Sequence, residues 1–420
     1  MNKKTNYKKT ASHEAKQGEF DKVVLLYSGG LDTSIILKWI QDEYNVKVIA
    51  LTVDIGQPKE DFAAIKKKAL DLGAAKSIVM DAKKEFSDEY ISHAIKSNAD
   101  YQGGYHLFCP LGRAMISKVA VEVAHQEGAK VIAHGCTGKG NDQVRFESYI
   151  TTLDPNLKTI APVREWSLGR EEEIAYAKKY NIPIKHSLKK IYSYDENLWG
   201  NSAEGGEIEK LNQIPPLNKI LINCKTPEKA VDGPEIIKIK FQQGLPISLN
   251  NKKMKLLDII QQLNQLGSKH AIGITHLIED RMVGLKVRGI YEEPAAEILI
   301  QAHKNLEKLV CTKDENEFKA NIDNKWAYLC YEGKWHNPLI QHLNAYTDSV
   351  NKKVTGTIKL HLYKGKVSVV ACDSPYSLFD ENMCTFMKND LFNQNASAGF
   401  IELWNLPQKT SFNLTKKLYE

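Results

Sequence analysis

The sequence predicts a mixed α/β protein in which a doubly wound, mainly parallel sheet is followed by an α+β domain and a helical tail. Three observations predict this fold class. From about residue 20 to residue 184, strand-like apolar segments alternate with amphipathic helical segments, as in a parallel sheet covered by helices. The early strands are apolar on both faces, as buried parallel strands are. Beyond residue 232 the alternation gives way to mixed strands, helices and a hairpin.

The elements of the first predicted domain, residues 20–190, follow from their hydrophobic periods. A short apolar strand ends at Leu26, and the next segment places Ile35, Ile36 and Ile40 on one helical face. We then predict strands over 46–53, 77–81 and 130–134, and helices over 59–72, 85–96 and 111–126. Sheets of this kind bind ligands beyond the carboxyl ends of their strands, so the loops after residues 26 and 134 are the candidate sites.

The second predicted domain spans residues 191–380, and its boundary is placed in the stretch over about 185–232, which is rich in Asn, Gly, Pro and polar residues. It contains a strand over 235–241, helices over 253–266 and 294–311, and a hairpin within 354–371 that turns at Lys364-Gly365. Residues 381–420 form a tail with a helix near 399–406. Its Phe400 and Trp404 need a partner surface, which predicts an oligomerisation tail.

Residues 1–19 carry five lysines against two glutamates, and thus half of the net charge of +6. We expect this basic extension to be disordered and dispensable, because it has no apolar period and no apolar core of a secretory signal. The remainder of the chain lacks the basic character of a dedicated nucleic-acid binder.

The cysteines and histidines indicate neither disulfides nor a metal site. The seven cysteines are scattered without a Cys-x-x-Cys pair, which is typical of reduced thiols in a cytoplasmic protein. The twelve histidines lack metal-ligand spacing. No run of about 18 apolar residues predicts a membrane span.

The loop after the first strand has the composition of a phosphate site. Its sequence is Tyr27-Ser28-Gly29-Gly30-Leu31-Asp32-Thr33-Ser34. The two glycines let the backbone approach an anion closely. The hydroxyl groups of Ser28, Thr33 and Ser34 and the positive end of the following helix favour bound phosphate.

This loop matches neither of the commonest nucleotide-binding patterns, since it lacks both Gly-x-x-x-x-Gly-Lys-[Ser/Thr] and three glycines at dinucleotide spacing. Ser-Gly-Gly-x-Asp-Thr-Ser instead resembles the pyrophosphate loop of the ATP pyrophosphatases, which cleave ATP between its α- and β-phosphates. A glycine-rich turn without a ligand is the alternative. The preceding apolar strand, Asp32 and the hydroxyl pair favour the phosphate site.

A second polar constellation follows the strand that ends near residue 134. It runs His134-Gly135-Cys136-Thr137-Gly138-Lys139-Gly140-Asn141-Asp142-Gln143-Val144-Arg145-Phe146-Glu147. Asn141, Asp142 and Arg145 offer an amide, an anion and a bidentate cation within one turn. This set suits an amino-acid substrate, with its ammonium and carboxylate groups. A solvated loop is the alternative.

With these two motifs the sequence resembles the argininosuccinate synthase family over nearly all of its length. The further matching runs are Asp54-Ile55-Gly56-Gln57, Ser193-Tyr194-Asp195-Glu196-Asn197-Leu198-Trp199-Gly200 and Glu279-Asp280-Arg281-Met282-Val283-Gly284, continuing through Lys286 and Arg288-Gly289-Ile290-Tyr291-Glu292. The resemblance implies ATP-dependent joining of citrulline and aspartate into argininosuccinate through a citrullyl-adenylate, with release of AMP and pyrophosphate. It also implies a Mg²⁺ requirement and a cytoplasmic homo-oligomer, usually a tetramer.

The resemblance further implies which residues bind each substrate. For ATP these are Leu26, Tyr27, Ser28, Gly29, Gly30, Leu31, Asp32, Thr33, Ser34, Val53 and Gly135. For citrulline they are Tyr105, Asn141, Arg145, Ser193, Ser202, Glu279 and Tyr291, and for aspartate Thr137, Asn141 and Asp142. Because Glu279 belongs to the second predicted domain, we expect the site to lie between the domains, where ligand clefts are common.

The sequence departs from the family five positions after Tyr105. Many members carry a hydroxyl residue there that contacts citrulline, whereas this chain has Pro110, which has no donor. Neighbouring Cys109 is a weak substitute. Lys139 and Arg113 are further candidates for stabilising phosphate charge. No Ser-His-Asp or Cys-His set is needed, so we expect catalysis by positioning and charge stabilisation.

Two other functions share the first motif. One is a different ATP pyrophosphatase that amidates a substrate or thiolates tRNA. The sequence shows neither the basic face or cysteine pair of a tRNA enzyme nor a glutaminase-like region before the loop. The other is a nucleotide-binding regulatory protein without turnover, which Pro110 favours and the intact polar set over 137–145 disfavours.

Overall fold

Five strands form a fully parallel sheet in the computed structural model, which describes residues 11–58, 60–166, 170–182, 191–385 and 391–418. In chain order they are β1 (Lys22–Leu26), β2 (Lys47–Asp54), β3 (Lys76–Asp81), β4 (Val131–Ala133) and β5 (Lys158–Ile160). Their spatial order is β3-β2-β1-β4-β5, so strand addition changes side between β1 and β4. The predicted doubly wound parallel sheet is confirmed, and this switch point is where such sheets bind ligands.

Helices cover both faces of this sheet. They are α1 (Leu31–Tyr44), α2 (Phe62–Asp71), α3 (Lys83–Glu85), a π-helical turn (Phe86–Ile91), α4 (Ser92–Lys96), α5 (Phe108–Glu127), α6 (Asp142–Leu153), α7 (Pro162–Glu165) and α8 (Arg170–Lys179). Alternate residues of β1 serve the two faces: Val24 packs in the apolar cluster that contains α5, and Val23 and Leu25 pack in the one that contains α1. The period of two in a strand accounts for this division.

The second half of the chain contains two antiparallel sheets. Its strands are β6 (Ser193–Asn197), β7 (Gly200–Glu204), β8 (Glu235–Gln242), β9 (Leu245–Leu249), β10 (Lys252–Lys253), β11 (Ile274–Asp280), β12 (Lys286–Glu292), β13 (Gly356–Tyr363) and β14 (Lys366–Asp373). The sheet orders are β10-β9-β8-β13-β14 and β11-β12-β7-β6. The hairpin predicted at Lys364-Gly365 joins β13 and β14, and both turn residues have positive φ, 41° and 88°.

The helices of this half are α9 (Leu217–Ile220), α10 (Leu256–Lys269), α11 (Pro294–Val310), α12 (Lys313–Tyr331) and α13 (Pro338–Asn351). Short 3₁₀ turns span Gly206–Glu209 and Pro227–Lys229. One continuous apolar cluster includes Val24 of β1, Leu111 of α5, Ile237 of β8 and Ile298 of α11. The parallel sheet and the antiparallel half therefore share a core.

Residues 11–19 are ordered against the parallel sheet, so the expectation that residues 1–19 are disordered is wrong for this part. The backbone N–H of Ala15 donates to Thr159 O over 3.0 Å, and Thr159 N–H donates to His13 O over 2.8 Å. The side chain of Ala15 is fully buried. β5 is the edge strand, and this segment covers its otherwise unpaired backbone groups. Residues 1–10 lie outside the described residues.

The chain divides into a unit that ends at Tyr376 and a unit that begins at Ser377. The boundary predicted near residue 190 falls within 183–190, which lie outside the described residues. The second unit contains α14 (Glu381–Cys384), α15 (Ala396–Thr415) and a 3₁₀ turn (Lys416–Leu418). α15 is longer than the helix predicted near 399–406, and the rings of Phe400 and Trp404 stack on its exposed surface.

No helix in the described part of the chain combines the length and apolar character that a membrane span requires. All seven cysteines are free.

Candidate active site

The loop between β1 and α1 has the geometry that its composition predicts. Gly29 has φ of 75°, and a Cβ there would lie 2.7 Å from Cγ1 of Ile65, so a larger residue would be both strained and crowded. Gly30 is the N-cap of α1 and has no side chain to satisfy the first amides. The N–H groups at a helix start attract anions, and the loop places this end of α1 beside the cavity.

The hydroxyls of the loop have two different roles. Ser28 Oγ and Thr33 Oγ1 lie 3.1 Å apart at the exposed mouth of the loop. Ser34 is fully buried, and its hydroxyl donates to the carbonyl of Gly30 and lies 3.1 Å from the Tyr27 hydroxyl. Ser34 therefore fixes the shape of the loop.

A cavity of about 420 Å³ opens beside this loop. Most of the residues predicted for ATP line it, namely Leu26, Tyr27, Ser28, Gly30, Leu31, Asp32, Thr33, Val53 and Gly135. Gly29 and Ser34 do not line this cavity. Ser34 instead bonds the Gly30 carbonyl within the loop. The cavity is also lined by residues that were not predicted to bind ATP, among them Gln57, Phe62, Ile116 and His134.

A second cavity, of about 370 Å³, adjoins the first. It is lined by every residue predicted for citrulline or aspartate: Tyr105, Thr137, Asn141, Asp142, Arg145, Ser193, Ser202, Glu279 and Tyr291. These residues come from the loop before α5, from α6 and its preceding loop, and from β6, β7, β11 and β12. The two cavities share Arg113, Gly135, Cys136, Tyr194 and Asp195, so they meet at these side chains.

Asp142 lies between two guanidinium groups. Arg113 Nε donates to one oxygen of Asp142 over 2.9 Å, and Arg145 Nη1 donates to the other oxygen over 2.9 Å. The Arg113 Nη2 also donates to Asp195 over 2.6 Å. Burial alone would raise the pKa of Asp142, but the two arginines hold it far below its usual range. Asp142 is therefore a permanent anion already engaged on both oxygens.

Arg145 is buried and has one unused donor. Its Nε donates to the carbonyl of Tyr331 over 3.0 Å, and its guanidinium lies 4.9 Å from the centre of the Tyr331 ring. Its Nη2 has no hydrogen-bond partner among the described residues. Burial opposes the charge, but the surrounding thiol, carboxylate and phenol groups raise the pKa of Arg145. A buried cation with a spare donor in a cavity is suited to a carboxylate.

Asn141 ties its loop to the second half of the chain. Its Nδ2 donates to the Tyr331 hydroxyl over 2.8 Å, and its Oδ1 accepts from the backbone N–H of Met282 over 2.9 Å. Asn141 is only 6% exposed. Much of its hydrogen-bonding capacity therefore holds the loop in place.

Glu279 and Tyr291 form a buried pair on the antiparallel wall of the cavity. The Tyr291 hydroxyl donates to Glu279 Oε2 over 3.0 Å, and the Tyr291 ring lies 4.7 Å from that of Tyr105. Burial raises the pKa of the Glu279 carboxyl, while the charge of Arg145 and the bond from Tyr291 oppose the shift. A ligand cation beside Glu279 would stabilise the ionised carboxylate and so oppose the rise in its pKa that burial causes.

Cys109, and not Pro110, forms the cavity wall at the position where the family pattern is interrupted. Pro110 is buried in the first turn of α5, where the missing N–H costs no helical hydrogen bond. The Cys109 thiol donates to Asp142 over 3.3 Å, and burial raises its pKa well above the usual value. Cys109 thus contributes a neutral, weak donor.

Cys109, Asp142 and Asp195 have ligand atoms within 4.8 Å of one another, as a metal site would require. The Arg113 guanidinium is bonded to both carboxylates, so a cation of the protein already balances their charge. Lys139, the other candidate for phosphate charge, lines neither of the two cavities.

The most important residue that the sequence analysis does not identify is Tyr331, which lies in α12 and bonds both Asn141 and Arg145. Its ring also stacks on Tyr101, with centres 3.7 Å apart and planes 6° from parallel. No local pattern marks it, because its neighbours in space are more than 180 residues away in sequence. The sequence identifies Arg113 as a candidate for stabilising phosphate charge, but it does not predict the bonds of Arg113 to Asp142 and Asp195.

Two family descriptions match most of the chain. The family description "Arginosuccinate synthase N-terminal HUP domain" matches residues 22–183, and "Arginosuccinate synthase C-terminal domain" matches residues 192–411. An argininosuccinate synthase of Oceanobacillus iheyensis is 47% identical over 387 residues, 92% of each chain. One of Pyrococcus furiosus is 47% identical over 94% of this chain and 95% of its own length. One of Streptococcus mutans is 46% identical over 94% of this chain and 99% of its own.

Proposed function

The chain belongs to the argininosuccinate synthase family, and we propose that it joins citrulline to aspartate, using ATP and releasing AMP and pyrophosphate. One observation carries this proposal. Every residue that the resemblance assigns to the two amino acids lines a single cavity, and that cavity adjoins the one beside the phosphate loop.

The first cavity suits ATP with its phosphates against the loop between β1 and α1. The N-terminal amides of α1 and the Ser28 and Thr33 hydroxyls supply donors for phosphate oxygens. Val53 and Phe62 provide apolar wall for a base. Gly135 and Arg113 lie where the cavities meet, so the α-phosphate would be placed near the second cavity.

The second cavity suits citrulline through its opposed charges. The spare Nη2 of Arg145 would bind the α-carboxylate, and the Glu279 carboxylate would bind the α-ammonium. The ureido group at the other end of the molecule would then point towards the shared residues and the α-phosphate. Ser193 and Ser202 offer further hydroxyls along this wall.

Aspartate would occupy the side of this cavity formed by Thr137, Asn141 and Asp142. Both oxygens of Asp142 already accept hydrogen bonds from arginines. A carboxylate can accept more than two hydrogen bonds, so an ammonium can still approach the partly exposed group.

The proposed chemistry has two steps. The ureido oxygen of citrulline attacks the α-phosphorus of ATP, which forms a citrullyl-adenylate and expels pyrophosphate. The deprotonated amine of aspartate then attacks the ureido carbon; the bond between that carbon and the adenylate oxygen breaks, and AMP leaves with the oxygen and the bonding electron pair. The chain's contribution would be to align the reacting atoms and to stabilise charge, and Arg113, which lines both cavities, is the candidate to stabilise charge on the α-phosphate.

Mg²⁺ fits the donor set at the ATP cavity. This ion is usually held by one or two carboxylates together with substrate phosphates. Asp32 lines the cavity beside the phosphate loop and would share such an ion with ATP. Mg²⁺ would neutralise phosphate charge there.

We also propose a cytoplasmic homotetramer in which the unit after Tyr376 contacts another copy. α15 exposes Phe400, Leu403 and Trp404 by more than half of their surface. Apolar side chains at this density on one helix are typical of an interface. Sedimentation of the full chain, compared with a chain ending at Tyr376, tests this assignment.

The activity is tested by incubating the purified chain with ATP, citrulline and aspartate and measuring AMP and argininosuccinate. AMP should form only when both amino acids are present, and citrulline alone should support exchange of labelled pyrophosphate into ATP. Glu279→Gln should weaken citrulline binding, whereas Asp232→Asn, which removes an exposed carboxylate paired with Lys364, should not. AMP release with ammonia in place of aspartate would contradict the proposal and indicate an amidating relative.

A further inference from the structure

The segment over residues 11–19 reaches the wall of the ATP cavity through a chain of side chains. It lies along the edge strand β5, with Ala15 buried and the backbone of His13 and Ala15 bonded to Thr159. Residues 13 and 14 therefore have fixed positions, and their side chains point towards α6 and α7.

The first connection runs from His13 to the loop between β4 and α6. His13 Nε2 lies 2.6 Å from Oε2 of Glu147, and Glu147 Oε1 lies 3.0 Å from Nε2 of His134. His134 Nδ1 in turn accepts the backbone N–H of Cys136 over 3.3 Å. Since Nδ1 accepts this bond, Nε2 of His134 carries the hydrogen that Glu147 accepts. An ionised Glu147 has no hydrogen to donate, so it accepts from both His134 and His13.

A second connection reaches the same loop from Glu14. Its carboxylate accepts from Arg164 Nη2 over 3.0 Å, and Arg164 also binds Glu147 over 2.7 Å and Gln143 Oε1 over 3.0 Å. Gln143 donates to the carbonyl of Gly140 over 3.3 Å. Both connections therefore end on the loop that contributes Gly135 and Cys136 to the ATP cavity.

Glu147 is the ionised centre of this network and fixes the side chains bonded to it. Burial alone would raise the pKa of Glu147, but the hydrogen bond from His134 and the charge of Arg164 hold it below its usual range. Glu147 is only 8% exposed and remains an anion at neutral pH. A buried anion held by three donors orients each of them, and removal of one donor loosens the others.

We propose that His13 is a positioning residue for nucleotide binding: through Glu147 and His134 it holds the loop between β4 and α6 in the conformation that receives ATP. It touches no part of the cavity itself. The inference rests on the proposed function only in the identity of the nucleotide. It gives the segment before β1 a role in the affinity for ATP.

The test is the Kd for ATP of the full chain, measured by titration calorimetry without amino acids, together with the melting temperature. His13→Ala should raise the Kd by about three- to tenfold, because one charge-assisted bond is lost and its effect on the loop is indirect. His13→Gln, which keeps a side-chain donor, should restore the Kd to within about twofold of wild type. Lys16→Ala is the matched control, since it removes a charge from the exposed side of the same segment.

A double-mutant cycle identifies the route. If His13 acts through Glu147, then His13→Ala should add little to the effect of Glu147→Gln on the Kd. Full additivity overturns the proposed route. An unchanged Kd for His13→Ala, with or without a lower melting temperature, overturns the proposal and leaves His13 with a purely structural role.

These results are separable from the proposed function. A wild-type chain that binds ATP but forms no argininosuccinate would contradict the proposed function while still testing His13. A wild-type chain that forms argininosuccinate, with His13→Ala binding ATP normally, would contradict only the role of His13. Failure of the wild-type chain to bind ATP would contradict both.

Discussion

The two cavities of the candidate site are built in different ways. The phosphate loop of the ATP cavity is one continuous stretch, residues 26–34, made of glycines, backbone amides and hydroxyls. The charged groups of the amino-acid cavity come from both halves of the chain: buried Arg145 and partly buried Arg113 lie with Asp142, Asp195 and Glu279. A site made from backbone groups needs only a local conformation, whereas a site made from opposed charges needs every partner in place.

The largest expected effect comes from breaking the charge balance. Asp142→Asn leaves Arg113 and Arg145 without their shared anion. We expect kcat/KM for aspartate to fall by about a hundredfold or more, and the free energy of unfolding to fall by about 1.5–3 kcal/mol, less than for a fully buried pair because Asp142 is partly exposed.

Steady-state kinetics and urea unfolding measure these two quantities for Asp142→Asn. Asp195→Asn is the matched variant, since it removes one contact to Arg113 and leaves Arg145 paired. An unchanged free energy of unfolding in Asp142→Asn would contradict the statement that the amino-acid cavity needs every charged partner in place.

Gly29→Ala should damage the first cavity with little effect on the second. The new Cβ meets Ile65 at 2.7 Å, in a backbone conformation with φ of 75°. We expect the Kd for ATP to rise by about ten- to thirtyfold and the free energy of unfolding to fall by about 1–2 kcal/mol. Gly233→Ala, with open space around its Cβ position, is the control. If Gly29→Ala, measured at saturating ATP, lost affinity for aspartate as strongly as it loses affinity for ATP, the damage would not be confined to the first cavity.

The pH dependence of citrulline binding should report Glu279. Because burial raises the pKa of this carboxyl, it gains a proton at a higher pH than an exposed glutamate does. The neutral form attracts an ammonium less, so the KM for citrulline should rise as the pH falls from 7 to 5, by about threefold or more. In Glu279→Gln the KM should be high throughout and lack this Glu279-dependent rise. If the citrulline KM changed with pH in the same way in the wild type and in Glu279→Gln, Glu279 would not be the group that binds the citrulline ammonium.

The smallest effects are expected at the interrupted family position. Cys109 lies on the cavity wall and donates to Asp142, so Cys109→Ala should raise the KM for citrulline or aspartate by about two- to fivefold. Pro110 does not line that cavity, so Pro110→Ser should change either KM by less than about twofold. A tenfold fall in the citrulline KM for Pro110→Ser would show that the hydroxyl is still usable here.

The sequence analysis located the strands and helices that have a clear hydrophobic periodicity, and the motifs whose residues are adjacent in the chain. It predicted β2 over 46–53 and α11 over 294–311, within about one residue of their bounds. It left α12 unassigned although Thr312 and Glu315 form a capping box, because the helix surface is mostly polar. It also treated residues 11–19 as disordered, since a short strand-like segment is recognisable only beside the open sheet edge that it covers.

By itself, the sequence determined the parallel sheet, the phosphate loop and the polar segment over 134–147, because hydrophobic period, glycine conformation and side-chain chemistry are local properties. Only the tertiary structure decided that Asp142 is shared by two arginines, that Tyr331 supports Asn141 and Arg145, and that His13 is connected to His134. The physical reason is that hydrogen bonds and ion pairs act over a few ångströms of space. Which side chains come that close depends on packing between elements far apart in the chain.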